Sequence, residues 1–176
     1  LDMEQARGCI NWKDLNKSMT FGLTDSSIHS QHENNFTATT IDCKLLSGDD
    51  AYVLEATKLW HLDLTDTTNT VAPTISDSGL TFNNASLLVA QDDTIYIADT
   101  TQSNSHVIKI INAKNYATIK EISLDSAPHE FKVYGDYIYV NDQSNTVKAY
   151  SKSSSKIITF TADQNVTKIA IQNFNH

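Results

Sequence analysis

His29-Ser30-Gln31-His32-Glu33 is the stretch of this sequence that gathers metal-ligating side chains most densely. Its spacing departs from the His-Glu-x-x-His pattern, because Glu33 follows the second histidine. On a strand, His29 and His32 fall on opposite faces. No metal site is expected there. His129-Glu130 stands just before an apolar run, and Asp42 stands at the matching place in another repeat. An imidazole and carboxylates converging at strand ends suit a polar or cationic ligand. His129, Glu130, Asp42 and Asp142 are therefore the candidate ligand-binding residues, and capping of the strand ends is the structural use of the same side chains.

Catalytic groupings are not found. The sequence has no Gly-x-Ser-x-Gly elbow, phosphate loop, Cys-x-x-Cys-His or zinc-ribbon spacing. With 5 glycines in 176 residues, a phosphate-cradling loop has little to build on. No catalytic residue, resident metal or cofactor is assigned. The sequons at Asn16, Asn35, Asn84 and Asn165 are no more than chance supplies in a chain this rich in Asn, Ser and Thr.

The elements that must position these side chains follow from a repeat. Asp93-Thr94-Ile95-Tyr96-Ile97-Ala98-Asp99 recurs as Asp136-Tyr137-Ile138-Tyr139-Val140-Asn141-Asp142, and earlier as Asp49-Asp50-Ala51-Tyr52-Val53-Leu54-Glu55. Tyr52, Tyr96 and Tyr139 share one register, about 43 residues apart, a period that belongs to repeat architectures. Each copy has a short apolar run before it, strand a: 43–46, 87–90 and 131–134. The Tyr-bearing run is strand b. Two runs follow: strand c at 59–64, 107–111 and 147–150, and strand d at 71–75, 117–122 and 157–160. All are β-branched or aromatic and bounded by Gly, Asp, Asn or Ser, the signature of strands.

The chain ends fit the same scheme. Phe21-Gly22-Leu23-Thr24-Asp25 matches Leu62-Asp63-Leu64-Thr65-Asp66, which makes 19–23 a strand c and 9–12 the strand b before it. Val166 to Ile171 reads as a strand a with nothing after it. The expected fold is all-β, a single small β-propeller spanning 1–176, of about four blades of four antiparallel strands. The blades are 1–40 plus 165–176, 41–83, 84–127 and 128–164, with the ring closed by the C-terminal strand on Cys9 to Trp12. Cys9 and Cys43 allow one disulfide, but this map starts their strands at opposite ends of neighbouring units and favours free thiols.

Ile95-Tyr96-Ile97-Ala98-Asp99-Thr100 followed by Ser105-His106-Val107-Ile108-Lys109-Ile110 resembles the YVTN and NHL families of propeller repeats. Ala127-Pro128-His129 and Tyr139-Val140-Asn141-Asp142 extend the likeness through 85–150; residues 1–40 carry it poorly. The resemblance implies a propeller, often extracytoplasmic and used mostly for binding. The tyrosine column is read as packing between blades, and Asp99 and Asp142 as acceptors for turn backbone.

In such a blade the b–c and d–a connections emerge on one face of the ring. That face collects Asp14, Glu33, Glu55, Asp77, Asp99, Asp125, His129, Glu130, Asp142 and Asp163, an expected acidic surface. The net charge of -8 and the lack of a basic run argue against nucleic acid or an anionic membrane surface. No apolar stretch reaches the length of a membrane span, and the start lacks the pattern of a signal peptide, so a soluble and processed chain is expected. The expected function is a non-catalytic binding or scaffolding propeller, secreted, periplasmic or at the cell surface. It holds a protein, a glycan or a neighbouring subunit, or self-associates, and Trp12 and Trp60 are aromatics for blade packing or a partner. The alternative is a propeller lactonase or metal-dependent hydrolase with ligands at the central channel.

Overall fold

The computed structural model describes residues 6–11, 17–24, 27–46, 49–66, 68 and 70–172; side chains at 6–8, 11 and 21–30 are outside that description. The described residues form antiparallel sheets and no helix. The first sheet is β1 (Ala6–Asn11), β2 (Lys17–Thr24) and β3 (Ser27–Asn35). The second runs in order through β4 (Thr40–Leu45), β5 (Asp50–Glu55), β6 (Lys58–Asp63) and β7 (Thr74–Thr81). The third is β8 (Ala85–Gln91), β9 (Thr94–Thr100), β10 (His106–Asn112) and β11 (Thr118–Leu124). The fourth is β12 (Glu130–Tyr134), β13 (Tyr137–Asn141), β14 (Thr146–Ser151) and β15 (Ile157–Thr161). Each sheet is a meander of hairpins, and the inner strands of successive sheets lie against one another. The all-β propeller architecture is as expected, with three strands in the first sheet and four in each of the others among the described residues.

Period-2 alternation explains why the sheets stack. On β5, Ala51 and Val53 pack toward the first blade with Phe36, Cys43 and Leu62, while Tyr52 and Leu54 pack toward the third with Ile95, Ile97 and Ile111. On β9 the division repeats, Ile95 and Ile97 facing back and Tyr96 and Ala98 facing on to Phe131, Ile138 and Val140. A middle blade is thus apolar on both faces, and each fully buried aliphatic side chain contributes roughly 1.5–3 kcal/mol. Tyr52 and Tyr96 pack between blades as expected, whereas Tyr139 is half-buried against Tyr137 and Phe160 of its own blade. The Tyr52 hydroxyl donates to the Ala113 carbonyl of the third blade at 3.3 Å. Burial holds its ionisation well above the usual phenol range.

Hairpin turns fix the register. Gln91 pairs with Thr94 across Asp92 and Asp93, whose φ values of 51° and 56° are the left-handed pair that a two-residue hairpin requires. Gly135, at φ 55°, turns the matching hairpin between Tyr134 and Tyr137.

Three expectations change. Strand d of the second blade begins at Thr74 rather than Val71: Val71 is bonded into a turn with Thr68, and Pro73 has no N–H to give a ladder. The strand then runs through Ser76-Asp77-Ser78-Gly79, whose polarity hid it. Cys9 and Cys43 are not free thiols but a disulfide, with Cα atoms 5.9 Å apart. They meet because both lie mid-strand on β1 and β4, which pack face to face, so the ends at which their strands begin do not matter. Residues 166–171 form no ladder among the described residues. Val166 donates to the Ser144 carbonyl and Ile169 to the Glu130 carboxylate, each at 2.8 Å, and the pairing with Cys9 to Trp12 that would close the ring is not seen. Trp12 and Asp14 lie outside the described residues.

Candidate interaction face

The carboxylate that ends strand b accepts hydrogen bonds from the loop entering its own blade. In the second blade Glu55 is buried and receives the Ala38 N–H at 2.8 Å and the Thr37 hydroxyl at 3.2 Å. In the third, Asp99 receives the Asn84 N–H at 2.8 Å and the Asn83 N–H at 3.4 Å. In the fourth, Asp142 receives the Ser126 hydroxyl, and the Ser144 N–H at 3.1 Å. The Ser126 bond, with those from Ser144, holds the Asp142 carboxyl down to about 2. Asp99 thus has the structural role read from its place after strand b, and Asp142 has the same one. Glu55, in the same column, extends the pattern.

One further position completes this arrangement. Trp60 and Lys109 pair with Val53 and Ile97, each two residues before the strand-b carboxylate. An aromatic ring from the incoming loop lies over each: Phe36 at 6.0 Å from Trp60, and Phe82 beneath the Lys109 ammonium at 5.3 Å. Lys109 reaches Asp99 at 2.9 Å, whose side chain is 1% exposed. Trp60 instead leaves its Nε1 buried without a hydrogen-bond partner among the described residues. It is committed to blade packing.

Lysines accompany most of the acids expected on this face. Glu33 pairs with Lys17, Asp77 with Lys58 at 2.9 Å, and Asp125 with Lys148, whose ammonium that contact holds above its ordinary range. Asp42 pairs with Lys44 at 2.8 Å, and Glu130 with Lys132 at 3.3 Å. The last two pairs were readable, since residues two apart on a strand share a face. The cross-strand lysines carried no local signal. Asp163 is exposed. Asp77, expected in the d–a connection, instead lies within β7 opposite Trp60, and most of these acids are paired with lysines.

Of the four candidate ligand residues, His129 is exposed, its Nε2 3.3 Å from the Gln143 amide nitrogen, and its backbone N–H donates to Asn141. Glu130 holds Ile169 and Lys132; Asp42 accepts from its neighbour Cys43 and from Lys44; Asp142 is bonded as above. No group of three or more His, Cys, Asp or Glu able to hold a metal ion occurs among the described residues. His32 contacts the Thr68 carbonyl, and the His29 side chain lies outside the described residues. Between the second and third blades the face opens into a cleft of about 280 Å³, lined by Phe82, Asn83, Asp99, Gln102 and Lys109 among others. Its counterpart between the third and fourth blades shrinks to about 10 Å³, where Lys148 and Asp125 meet.

No family model matches the chain, and no curated protein sequence matches it. Solved structures do. The N-terminal domain of Nup159 is 13% identical, with 83% of this chain and 39% of that chain covered and a TM-score of 0.56. The WD40 β-propeller domain of Doa1 is 13% identical, with 86% and 52% covered and a TM-score of 0.56. A chain in the structure of S. cerevisiae Dbp5 bound to Nup159 and Gle1 is 12% identical, with 86% and 44% covered and a TM-score of 0.55. This chain spans about two fifths to a half of the length of those structures. At such identities the likeness establishes the β-propeller architecture.

Proposed function

We propose that this β-propeller is a non-catalytic binding or scaffolding module of an extracytoplasmic compartment, presenting its b–c and d–a loop face to a protein partner. The observation that carries the reading is the repeated clamp of Glu55, Asp99 and Asp142 on the incoming loops. Loops fastened in this way lose little freedom on binding, so the face is pre-organised for a partner. Its paired charges suit a protein surface of complementary pattern better than a single cation, and complementary charge acts mainly on specificity and on-rate. The cleft beside Lys109 and the exposed His129 offer contact points, with Asp42, Glu130 and Asp142 forming the surrounding rim. The Cys9–Cys43 disulfide favours an oxidising compartment: secreted, periplasmic or cell-surface. The overall acidity favours a partner with a basic patch.

The test is association kinetics. A partner isolated on the immobilised chain from an extracytoplasmic fraction should associate more slowly as salt rises through about 0.1 M, where screening lengths are near 10 Å. Asp125→Asn with Asp163→Asn, both exposed, should slow association with the melting temperature nearly unchanged, since such substitutions usually cost within about 0.5 kcal/mol. Unchanged rates in both experiments would move the interaction to another face.

A further inference from the structure

Each described sheet has one outer strand: β3, β7, β11 and β15. The free edge of such a strand points away from the ring, so its exposure does not depend on which blade lies alongside. An open edge invites pairing by another strand, and charges, glycine and irregular register discourage it. β3 carries His32 and Glu33 and a break in register against β2. β7 carries Asp77, Gly79 and a break against β6. β11 carries Lys120, Glu121 and a break against β10. β15, Ile157-Ile158-Thr159-Phe160-Thr161, has no charge, glycine or proline, and it pairs with β14 in unbroken register.

That register fixes which groups are free. Ser151 donates to the Lys156 carbonyl at 3.0 Å before the strand, and Ala162 to the Asn145 carbonyl at 2.8 Å after it, each residue standing directly opposite its partner. Alternation along an antiparallel ladder then turns the N–H and C=O groups of Ile157, Thr159 and Thr161 outward. Beside this edge the third and fourth blades part into a groove of about 250 Å³. Ile122 and Tyr150 belong to the core between these blades, and Ile157, opposite Tyr150, carries the apolar lining out to the rim, where it is 54% exposed.

Positive charge gathers at the same place. Lys120 and Lys156 line the groove, and the Lys120 ammonium holds the β14–β15 turn through the carbonyls of Ser151, Lys152 and Ser154 at 3.2, 3.1 and 2.9 Å. Most other described lysines are paired with a carboxylate, whereas Lys120, Lys152 and Lys156 have none within ion-pair distance among the described residues. Asp136 accepts instead from the Ser151 and Ser153 hydroxyls at 2.7 and 2.8 Å, and Glu121 is the only acid lining the groove among the described residues. In a chain of net charge -8 this is a local surplus of positive charge next to an open apolar edge.

We propose that the outer edge of β15 is a docking site for an extended segment of a partner protein, which adds a strand to the fourth blade and carries an apolar and an acidic residue two positions apart. Main-chain bonds to Ile157, Thr159 and Thr161 hold the segment. Side chains two apart on it share a face. On the side of the third blade the apolar one fills the groove over Ile122 and Ile157, and the acidic one meets Lys156 and the field of Lys120. This site lies on the rim, so its failure would leave the loop-face reading intact.

The test is an amide NMR titration of the isotope-labelled whole chain with two capped peptides, Thr-Val-Thr-Glu-Thr-Val-Thr and the same sequence with Lys in place of Glu. The Glu peptide should move the amide signals of Ile157, Thr159 and Thr161 together with those of Ile122 and Tyr150, and slow hydrogen exchange at the outward amides. The Lys peptide should bind at least about threefold more weakly, the scale of one exposed ion pair. Thr159→Pro removes an outward N–H that β14 does not use and should abolish the shifts. Lys156→Glu should reverse the preference between the peptides. No shift at β15, shifts confined to the loop face, or equal affinity for the two peptides overturns the proposal. So do β15 shifts that appear on concentrating the chain alone, which would assign the edge to a second copy. The native chain's shifts decide the matter even if both variants fail to fold.

Discussion

The Lys109 ammonium lies 2.9 Å from an Asp99 carboxylate oxygen and over the ring of Phe82. Asp99 is shut away from water, and this ion pair and two backbone N–H groups stabilise its charge. Asp99→Asn should cost about 3–5 kcal/mol, because it strands a half-buried ammonium and weakens the loop clamp. Combining it with Lys109→Met should recover part of that loss, measured as a coupling energy in denaturant unfolding. Additive losses would show that the pair does not interact.

The Cys9–Cys43 disulfide closes a separation of 34 residues and ties the first blade to the second. Chain-entropy arithmetic for a loop of that size gives a loss of about 2–4 kcal/mol when the bond is absent. The double Cys→Ala variant should therefore melt well below the native protein, and a reducing agent should lower the native melting temperature alone. Equal melting temperatures with and without reductant would contradict the disulfide.

Asp142 sets an acid limit. Its folded carboxyl is held at about 2 against an ordinary value of 3.8, so it contributes stability above about pH 4 that is lost as pH falls toward 2. Asp142→Asn should be less stable than the native protein at neutral pH, and the gap should narrow across that window. Thermal melts at pH 7, 4 and 2 measure it. A gap independent of pH would mean that the Ser126 bond is not made.

Tyr52→Phe removes the hydroxyl that reaches Ala113 and leaves that carbonyl short of a donor. The expected cost is about 1 kcal/mol, with no change in the fold. A cost near zero would show that ring burial alone supplies what Tyr52 does.

Much of this architecture could be read before any coordinates. The 43-residue spacing of Tyr52, Tyr96 and Tyr139 marked the repeating strand, and Tyr52 and Tyr96 lie buried between sheets as their period-2 register requires. Strand β7 was harder to see, since an outer strand buries little and Ser76-Asp77-Ser78-Gly79 carries no apolar alternation. The acids themselves were legible but their pairing was not: Lys58 and Lys148 reach Asp77 and Asp125 from other strands, and only the i, i+2 lysines at 44 and 132 are visible locally. The disulfide was missed for the same reason. Which residues face each other across a blade boundary depends on how sheets stack, and sequence spacing within one blade does not encode it.

The clamps at Glu55, Asp99 and Asp142 each join residues only 15–18 positions apart. The Tyr52–Ala113 bond spans 61. Contacts of short loop length carry the smaller closure entropy and are the first a folding chain can hold. Each incoming loop with its a–b hairpin is therefore expected to form ahead of the contacts between blades. Substitutions at the clamps should slow folding, whereas those at Tyr52 should mainly speed unfolding.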